Sequence, residues 1–306
     1  MRRPRSIAAG AIVGLLSLLL SLPAIALETA RNDEDGARAR RRWPVIMAAG
    51  DIASAGEPSR GQRRTAALIG RRRLTALLPL GDTQYEEGHI ADYRSSYHPT
   101  WGRFRRKTHP VPGNHEYGMP GAAGYFRYFG KRAHRSHGGY YSFNLGRWHL
   151  IAINSARDGE PSQAQLRWLR RDLRRNRDRC ELAYWHHPRF SSGTRHGSDD
   201  AMAPFWRALH AAGVDVVLNG HEHHYERFAR LLPSGRPSVD GIREFVVGTG
   251  GKSGGYPFRS DPLRGSRKRL NGLGLIRMEL RASSYTWRFL RVDGTVADRG
   301  STACHR

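Results

Sequence analysis

Val217-Leu218-Asn219-Gly220-His221-Glu222-His223-His224-Tyr225-Glu226-Arg227 is the stretch on which the fold turns. It begins as the end of an apolar run, Val214 to Leu218, that reads as a short buried strand. Gly220 then turns the chain, and three histidines follow within four positions. In an extended or turning backbone, side chains two apart project to the same side. His221 and His223 therefore face one point, while Glu222 and His224 face away. Two neutral imidazoles at the end of a buried strand suit a metal site. A surface histidine cluster on a loop has the same letters, and the stretch alone does not separate the two.

Working outward, other strand ends carry similar residues. Val45–Ala49 is an apolar run ending in Gly50-Asp51. A helix is predicted over 62–74, and Leu77–Leu80 again ends in Gly-Asp, at Gly81-Asp82, with Tyr85 three positions on. Aromatic-rich connecting residues 93–104 precede a Pro-bounded segment, His109–Pro112, that runs into Gly113-Asn114-His115-Glu116. Residues 140–154 read as a hairpin turning at Asn144-Leu145-Gly146. Ser162, with Gln165 three residues later, predicts a capped helix whose apolar stripe is Leu166, Leu169 and Leu173. Leu182–Trp185 is a strand ending in His186-His187-Pro188, and 203–212 is an amphipathic helix. After Phe245–Val247, the glycine-rich residues 248–255 read as a flexible loop. Segments 275–280 and 285–290 close the chain as a hairpin. Helix–strand alternation early and hairpins later predict an α/β fold, a four-layer sandwich of two mixed sheets flanked by helices.

Composition bounds the rest. The chain has 306 residues, is 39% hydrophobic and carries a formal charge of +24, with four lysines among its 51 basic residues. Arg71-Arg72-Arg73 and Arg170-Arg171 fall within helical patterns and lack interleaved aromatics, so no specific nucleic-acid partner is indicated. Residues 1–26 read as a cleaved secretory signal: Arg2, Arg3 and Arg5, an apolar run from Ile7 to Leu20, and a small-x-small site at Ala24-Ile25-Ala26. Cleavage after Ala26 removes three arginines and leaves +21. An uncleaved membrane anchor is the competing reading, against which Pro23 and the interspersed serines and glycines weigh. Residues 27–42 read as a disordered leader, and 43–306 as one catalytic domain. Cys180 and Cys304 permit one disulfide in an exported chain, but the sequence does not show that they meet.

Asp51, Asp82 with Tyr85, Asn114 with His115, His186, and His221 with His223 thus stand at five chain ends of one sheet system. In open α/β folds, ligands gather beyond the carboxyl ends of strands. Oxygen and imidazole donors without thiolates suit iron, zinc or manganese. In this order the motifs Gly50-Asp51, Gly81-Asp82-x-x-Tyr85, Gly113-Asn114-His115-Glu116, His186-x-Pro188 and Gly220-His221-x-His223 resemble the calcineurin-like metallophosphoesterases, and more narrowly the purple acid phosphatases. The resemblance covers roughly residues 44 to 298. Ala53 stands where many metallophosphoesterases carry a metal-binding histidine, and Tyr85 stands where purple acid phosphatases place an iron-binding tyrosine.

The resemblance implies two metal ions, Fe(III) with a divalent Zn, Fe or Mn. Asp51, Tyr85 and His223 would hold one, Asn114, His186 and His221 the other, and Asp82 would bridge them. It further implies hydrolysis of phosphate monoesters by in-line attack of a metal-bound hydroxide. His115 is the implied proton donor or phosphate clamp, and His196 a second phosphate contact. A phosphodiesterase acting on nucleotides or phospholipid head groups is the alternative within the same ligand set. A non-catalytic binder of anionic polymers or cell-wall phosphate is the alternative from the charge. Small phosphorylated substrates are the expected partners, and the oligomeric state is left open. His187 reads as adjacent to the site, and His224 as a packing residue.

Overall fold

The computed structural model describes residues 43–134, 137–156, 162–176, 180–252 and 255–305. The signal and leader readings of 1–26 and 27–42 lie outside these residues. Strand β1 (Val45–Ala49) is buried along its whole length, as its unbroken apolar run requires. It pairs in parallel with β2 (Ala76–Pro79) and antiparallel with β10 (Gly274–Leu280). Helix α1 (Arg60–Gly70) connects β1 and β2. It starts earlier than its apolar pattern suggests, because Ser59 and Gln62 form a reciprocal capping box. It also stops before Leu74, whose side chain is needed in the core ahead of β2.

The aromatic-rich segment is a plug, not a passive connector. Helical turns at Tyr93–Tyr97 and Trp101–Lys107 bury Tyr93, Tyr97 and Trp101. Tyr93 stacks on Tyr128 of helix α2 (Ala123–Phe129), with ring centroids 4.7 Å apart. The Pro-bounded segment lies beside β2 through the bridges Leu77 to Thr108 and Leu80 to Val111. Its prolines lack ladder donors, which limits the pairing to isolated bridges.

The hairpin is formed by β3 (Tyr141–Leu145) and β4 (Trp148–Ala152). Its turn falls on Gly146 and Arg147, not on Asn144-Leu145-Gly146. Gly146 supplies the positive φ of 59° that a two-residue turn demands. Asn144 instead sits in the strand, with Oδ1 2.9 Å from His149 Nδ1. Helix α3 (Gln163–Arg175) has the predicted Ser162 cap, but Gln165 turns its side chain onto the backbone of Asn154 at 2.8 and 2.9 Å. Strand β5 (Cys180–Tyr184), helix α4 (Ala203–Ala212) and strands β6 (Val216–Asn219), β7 (Tyr225–Leu231), β8 (Ile242–Val247) and β9 (Ser266–Leu270) follow. After β10 come β11 (Ser284–Arg291) and β12 (Val296–Ala303).

These strands form two mixed sheets, ordered β12-β11-β10-β1-β2 and β3-β4-β5-β6-β8-β7-β9. The larger core cluster joins residues of both sheets, and a second cluster packs α3 and α4 against the seven-stranded sheet. This is the predicted arrangement of two mixed sheets with flanking helices. β9 and β12 escaped the sequence pattern because both are charged edge strands, Ser-Arg-Lys-Arg-Leu and Val-Ala-Asp-Arg-Gly-Ser-Thr-Ala, which keep exposed edges from self-pairing.

Cys180 and Cys304 form a disulfide with a Cα–Cα distance of 5.8 Å across 124 residues. It ties the start of β5 to the end of β12, so one sheet is stapled to the other. Cys304→Ser is expected to lower unfolding free energy by roughly 3–5 kcal/mol, the chain-entropy scale for so long a loop. Denaturant midpoints of the oxidised protein and the variant measure this directly.

Candidate metal centre

Each strand that carries a motif delivers its side chain by turning sharply at its carboxyl end. Asp51, Asp82 and His221 have φ of 61°, 46° and 71°, in the sparsely populated left-handed region. Three non-glycine residues held there around one point mark a place where geometry is maintained against local preference. Gly113 permits the approach of the third motif, because a Cβ there would lie inside the Asp82 carboxylate.

The side chains form two groups that share one atom. In the first, the Tyr85 hydroxyl is 2.8 Å from Asp51 Oδ1 and 3.0 Å from His223 Nε2. His223 Nε2 is also 3.3 Å from Asp51 Oδ1. In the second, His186 Nε2 is 3.1 Å from Asn114 Oδ1 and 3.1 Å from His221 Nδ1. Asp82 Oδ2 stands between them, 3.1 Å from the Tyr85 hydroxyl and 3.2 Å from His186 Nε2. All seven residues named from the sequence therefore meet, and His221 and His223 fall in different groups. Glu222 and His224 turn away, as expected. His224 is fully buried and packs on Phe258 with ring centroids 4.1 Å apart.

The donor set fits cations. His186 Nδ1 donates to the Leu80 carbonyl at 2.8 Å, which aims Nε2 inward, the usual second contact of a ligating histidine. Burial, then Asp51 and Asp82, push the Tyr85 phenol well above its ordinary pKa, so its anionic form needs a positive charge beside it. Burial pushes the Asp82 carboxyl up, but His186, with His115 and His221, outweighs it and holds the group well below the carboxylate range. For His186 burial opposes the proton, yet Asp82 beside it raises the imidazole to about 9. Asp51, Asp82 and His186 offer ligand atoms within 4.8 Å of one another, as do His186, His187 and His221. His187 Nδ1 is engaged by Ser155 Oγ at 2.9 Å.

The two candidate phosphate contacts flank the groups. His115 rings against Tyr85 at 4.2 Å, and its Nδ1 donates to the Glu86 carbonyl. Its Nε2 is left 3.9 Å from Asp82 Oδ2, on a side chain one-third exposed at 33%. His196 approaches from the other side, its ring 4.1 Å from that of His221.

Buried carboxylates fasten these loops: Glu226 does so as its sequence context suggests, while Glu116, Glu222 and Glu244 gave no such signal. Glu116 accepts from the backbone N–H groups of Asp82, Thr83, Gln84 and Gly113 at 3.0, 2.8, 3.1 and 2.6 Å. Burial and the Asp82 charge push its pKa up to about 6 against those donors. Glu222 accepts from His196 and Gly197, Glu226 from Ser192, and Glu244 from Arg189 and Phe190. The 248–255 segment is also not the flexible loop its glycines suggest over its described residues. Gly250 N donates to Gly50 O at 2.8 Å and Lys252 N to Asp51 O at 2.9 Å. A side chain at Gly248 would come within 2.7 Å of Asp51 Oδ2, so the glycines allow this wall to close on the site.

The calcineurin-like phosphoesterase family profile matches residues 37–225, a span that includes every one of these motifs. The chain belongs to that family. Among its relatives, purple acid phosphatase 15 of Arabidopsis thaliana is 30% identical over 195 residues, which cover 51% of this chain and 36% of that protein. Purple acid phosphatase 18 of the same plant is 34% identical over 121 residues, or 38% of this chain and 28% of that protein. The chain thus spans about a third of the length of these curated relatives. In fold it is similar to a purple acid phosphatase from yellow lupin (Lupinus luteus) seeds, with TM-score 0.64, 16% identity, and coverage of 85% of this chain and 53% of that one. It is likewise similar to GAP50 of Plasmodium, titled the anchor in the inner membrane complex, with TM-score 0.60, 16% identity, and coverage of 87% and 90%. The fold is therefore shared by proteins described as a phosphatase and as an anchor, and the donor cluster carries the chemical argument. No helix among the described residues is long and apolar enough to cross a membrane.

Proposed function

We propose that this phosphoesterase is an exported, two-metal phosphatase acting on phosphate monoesters. The observation that supports it most is Asp82 Oδ2, within 3.2 Å of both the Tyr85 hydroxyl and His186 Nε2. Asp51, Tyr85 and His223 would hold Fe(III), Asn114, His186 and His221 a divalent Zn, Fe or Mn ion, and Asp82 both. Bound metals would supply Lewis acidity toward the phosphoryl oxygens and lower the pKa of a coordinated water. The remaining work belongs to this chain. His115 keeps its Nδ1 proton on Glu86 O, so Nε2 is the atom that gains and gives a proton at the leaving alcohol. His196, carried by the loop that Glu222 secures, steadies the phosphate from the opposite side. The Gly248–Lys252 wall keeps Asp51 in place.

Turnover of p-nitrophenyl phosphate by the metal-loaded protein, its loss on chelation and its return with iron plus zinc are the expected results. Hydrolysis of the bis-ester alone would instead make the chain a phosphodiesterase. Turnover of neither, with full metal content, would favour the polymer-binding reading. A visible absorption band lost in Tyr85→Phe tests the iron assignment, and N-terminal sequencing of the exported protein tests cleavage after Ala26. Gly248→Ala is expected to weaken metal binding about 10–100-fold, the scale for displacing a ligand's support, measured by metal content after dialysis against graded chelator.

A further inference from the structure

β7 leads the chain away from the metal centre and into a different concentration of charge. Arg227 and Arg230 of β7, Arg243 near the start of β8 and Arg267 of β9 line a surface depression of about 760 Å³, completed by Val239 and Thr302. Arg243 lies at one end of β8. Beyond the other end, Gly248 adjoins Asp51, so the depression is roughly 16 Å along the strand from the metal centre.

These arginines are held by groups that leave most of their charge uncompensated. Arg230 donates to the Val239 carbonyl at 2.9 Å and the Ala303 carbonyl at 2.5 Å, and Arg243 donates to the Phe228 carbonyl at 3.0 Å. A carbonyl fixes a guanidinium in place without neutralising it. The Nε atom of Arg230 is buried and has no hydrogen-bond partner, while the Arg243 guanidinium also lies beside the buried Tyr285 hydroxyl. The adjacent carboxylate, Asp298, is committed to Arg227 at 2.6 and 3.2 Å, and also accepts from Tyr225 at 2.7 Å. Among the described residues, no acidic side chain lines the depression. Guanidinium groups preorganised in this way and converging from three strands suit an anion whose acceptor oxygens point in several directions. A tetrahedral oxyanion meets that requirement better than a planar carboxylate.

We propose that this depression is a second anion site that binds a phosphate group independently of the metal centre. Trp287 gives it a reporter, because the guanidinium carbons of Arg227 and Arg243 lie 5.4 and 5.2 Å from its ring centroid. The test titrates the full metal-loaded protein with orthophosphate and, separately, long-chain polyphosphate at fixed ionic strength, following tryptophan emission. A saturable change in the wild type that is absent in Trp287→Phe is expected. Affinity should fall about tenfold or more in Arg230→Gln/Arg267→Gln, the scale for losing two charge-assisted contacts. It should fall similarly in Thr302→Glu, which keeps every arginine and adds a repelling charge. Arg170→Gln/Arg174→Gln, in another arginine-lined depression beside α3 and α4, should bind as wild type.

Saturation by orthophosphate identifies free phosphate as the ligand, and saturation by polyphosphate alone identifies phosphate borne on a polymer. No Trp287-dependent change with either probe overturns the site. So does unchanged affinity in both the double variant and Thr302→Glu, or an equal loss in the Arg170/Arg174 control, which would mark general attraction by a basic surface. The readout involves no catalysis, so failure of the phosphatase reading leaves this test intact.

Discussion

Asp82→Asn is expected to reduce phosphomonoester turnover by about a thousandfold or more and to weaken metal binding beyond the 10–100-fold cost of an outer-shell change. The substitution keeps the size of the side chain and removes only its charge. The effect should be that large because Oδ2 of this one carboxylate contacts both donor groups, at 3.1 Å to the Tyr85 hydroxyl and 3.2 Å to His186 Nε2. Asp51→Asn alters the side-chain contacts of the first group and reaches the second only through the His221 N–H that Asp51 Oδ2 accepts at 2.9 Å, so it should retain more metal. Total metal per chain, visible absorption and turnover give three readings on the same sample. Undiminished metal content and turnover in Asp82→Asn would remove the bridging role.

The metal-free proteins supply a separate check through pH. Asp82 is held below the ordinary carboxylate range, so the stability it contributes is present above its unfolded pKa and is lost as pH falls through the lowered folded value. His186 is raised to about 9, so its contribution is complete below an unfolded pKa near 6.5 and is lost as pH rises through about 9. Metal-free wild type should accordingly lose stability at both edges of that window, and the same curve should flatten in Asp82→Asn. Parallel curves for the two proteins would show that the pair does not interact as its geometry requires.

The centre was legible in sequence where chemistry and chain reversal coincide. Gly50-Asp51, Gly81-Asp82, Gly113-Asn114 and Gly220-His221 each put a donor directly after the glycine that ends an extended segment, so position along the strand predicted position in space. The two-residue spacing of His221 and His223 likewise predicted that His224 would turn away. What placed the two histidines in separate groups was the resemblance, and the distances to Tyr85 and His186 agree with it.

Contacts made across long sequence separations were not legible. Gly250 looked flexible because nothing near it in sequence indicates Gly50 as its neighbour. Glu244 lies more than fifty positions from the Arg189 and Phe190 amides it accepts from. Edge strands β9 and β12 lacked an apolar alternation because their exposed sides are charged against self-association. Local periodicity reports burial of a face, so it is silent about strands with little face to bury and about carboxylates whose partners are backbone amides.

Glu116 is where that silence matters most, and its substitution is the second large effect expected. The residue is fully buried, and its two oxygens accept from four backbone N–H groups and from the Thr83 and Tyr93 hydroxyls at 2.9 and 3.1 Å. It thereby clamps the Asp82 turn to the Gly113-Asn114 turn, one bearing the shared carboxylate and the other the Asn114 amide that faces His186. Glu116→Ala leaves those donors unpaired in the interior, where each orphan costs about 1–3 kcal/mol before relaxation. Partial re-pairing brings the expected loss to about 3–5 kcal/mol of unfolding free energy. Glu116→Gln keeps the volume but points an amide donor at N–H donors, so it should recover only part of that loss. The clamp predicts coupled defects: a lower denaturant midpoint without metal, and weaker metal binding even at temperatures where the variant is folded. A variant that is destabilised yet binds metal with wild-type affinity would make Glu116 a core anchor only. One as stable as wild type would mean that the Asp82 turn holds its left-handed conformation without the carboxylate beneath it.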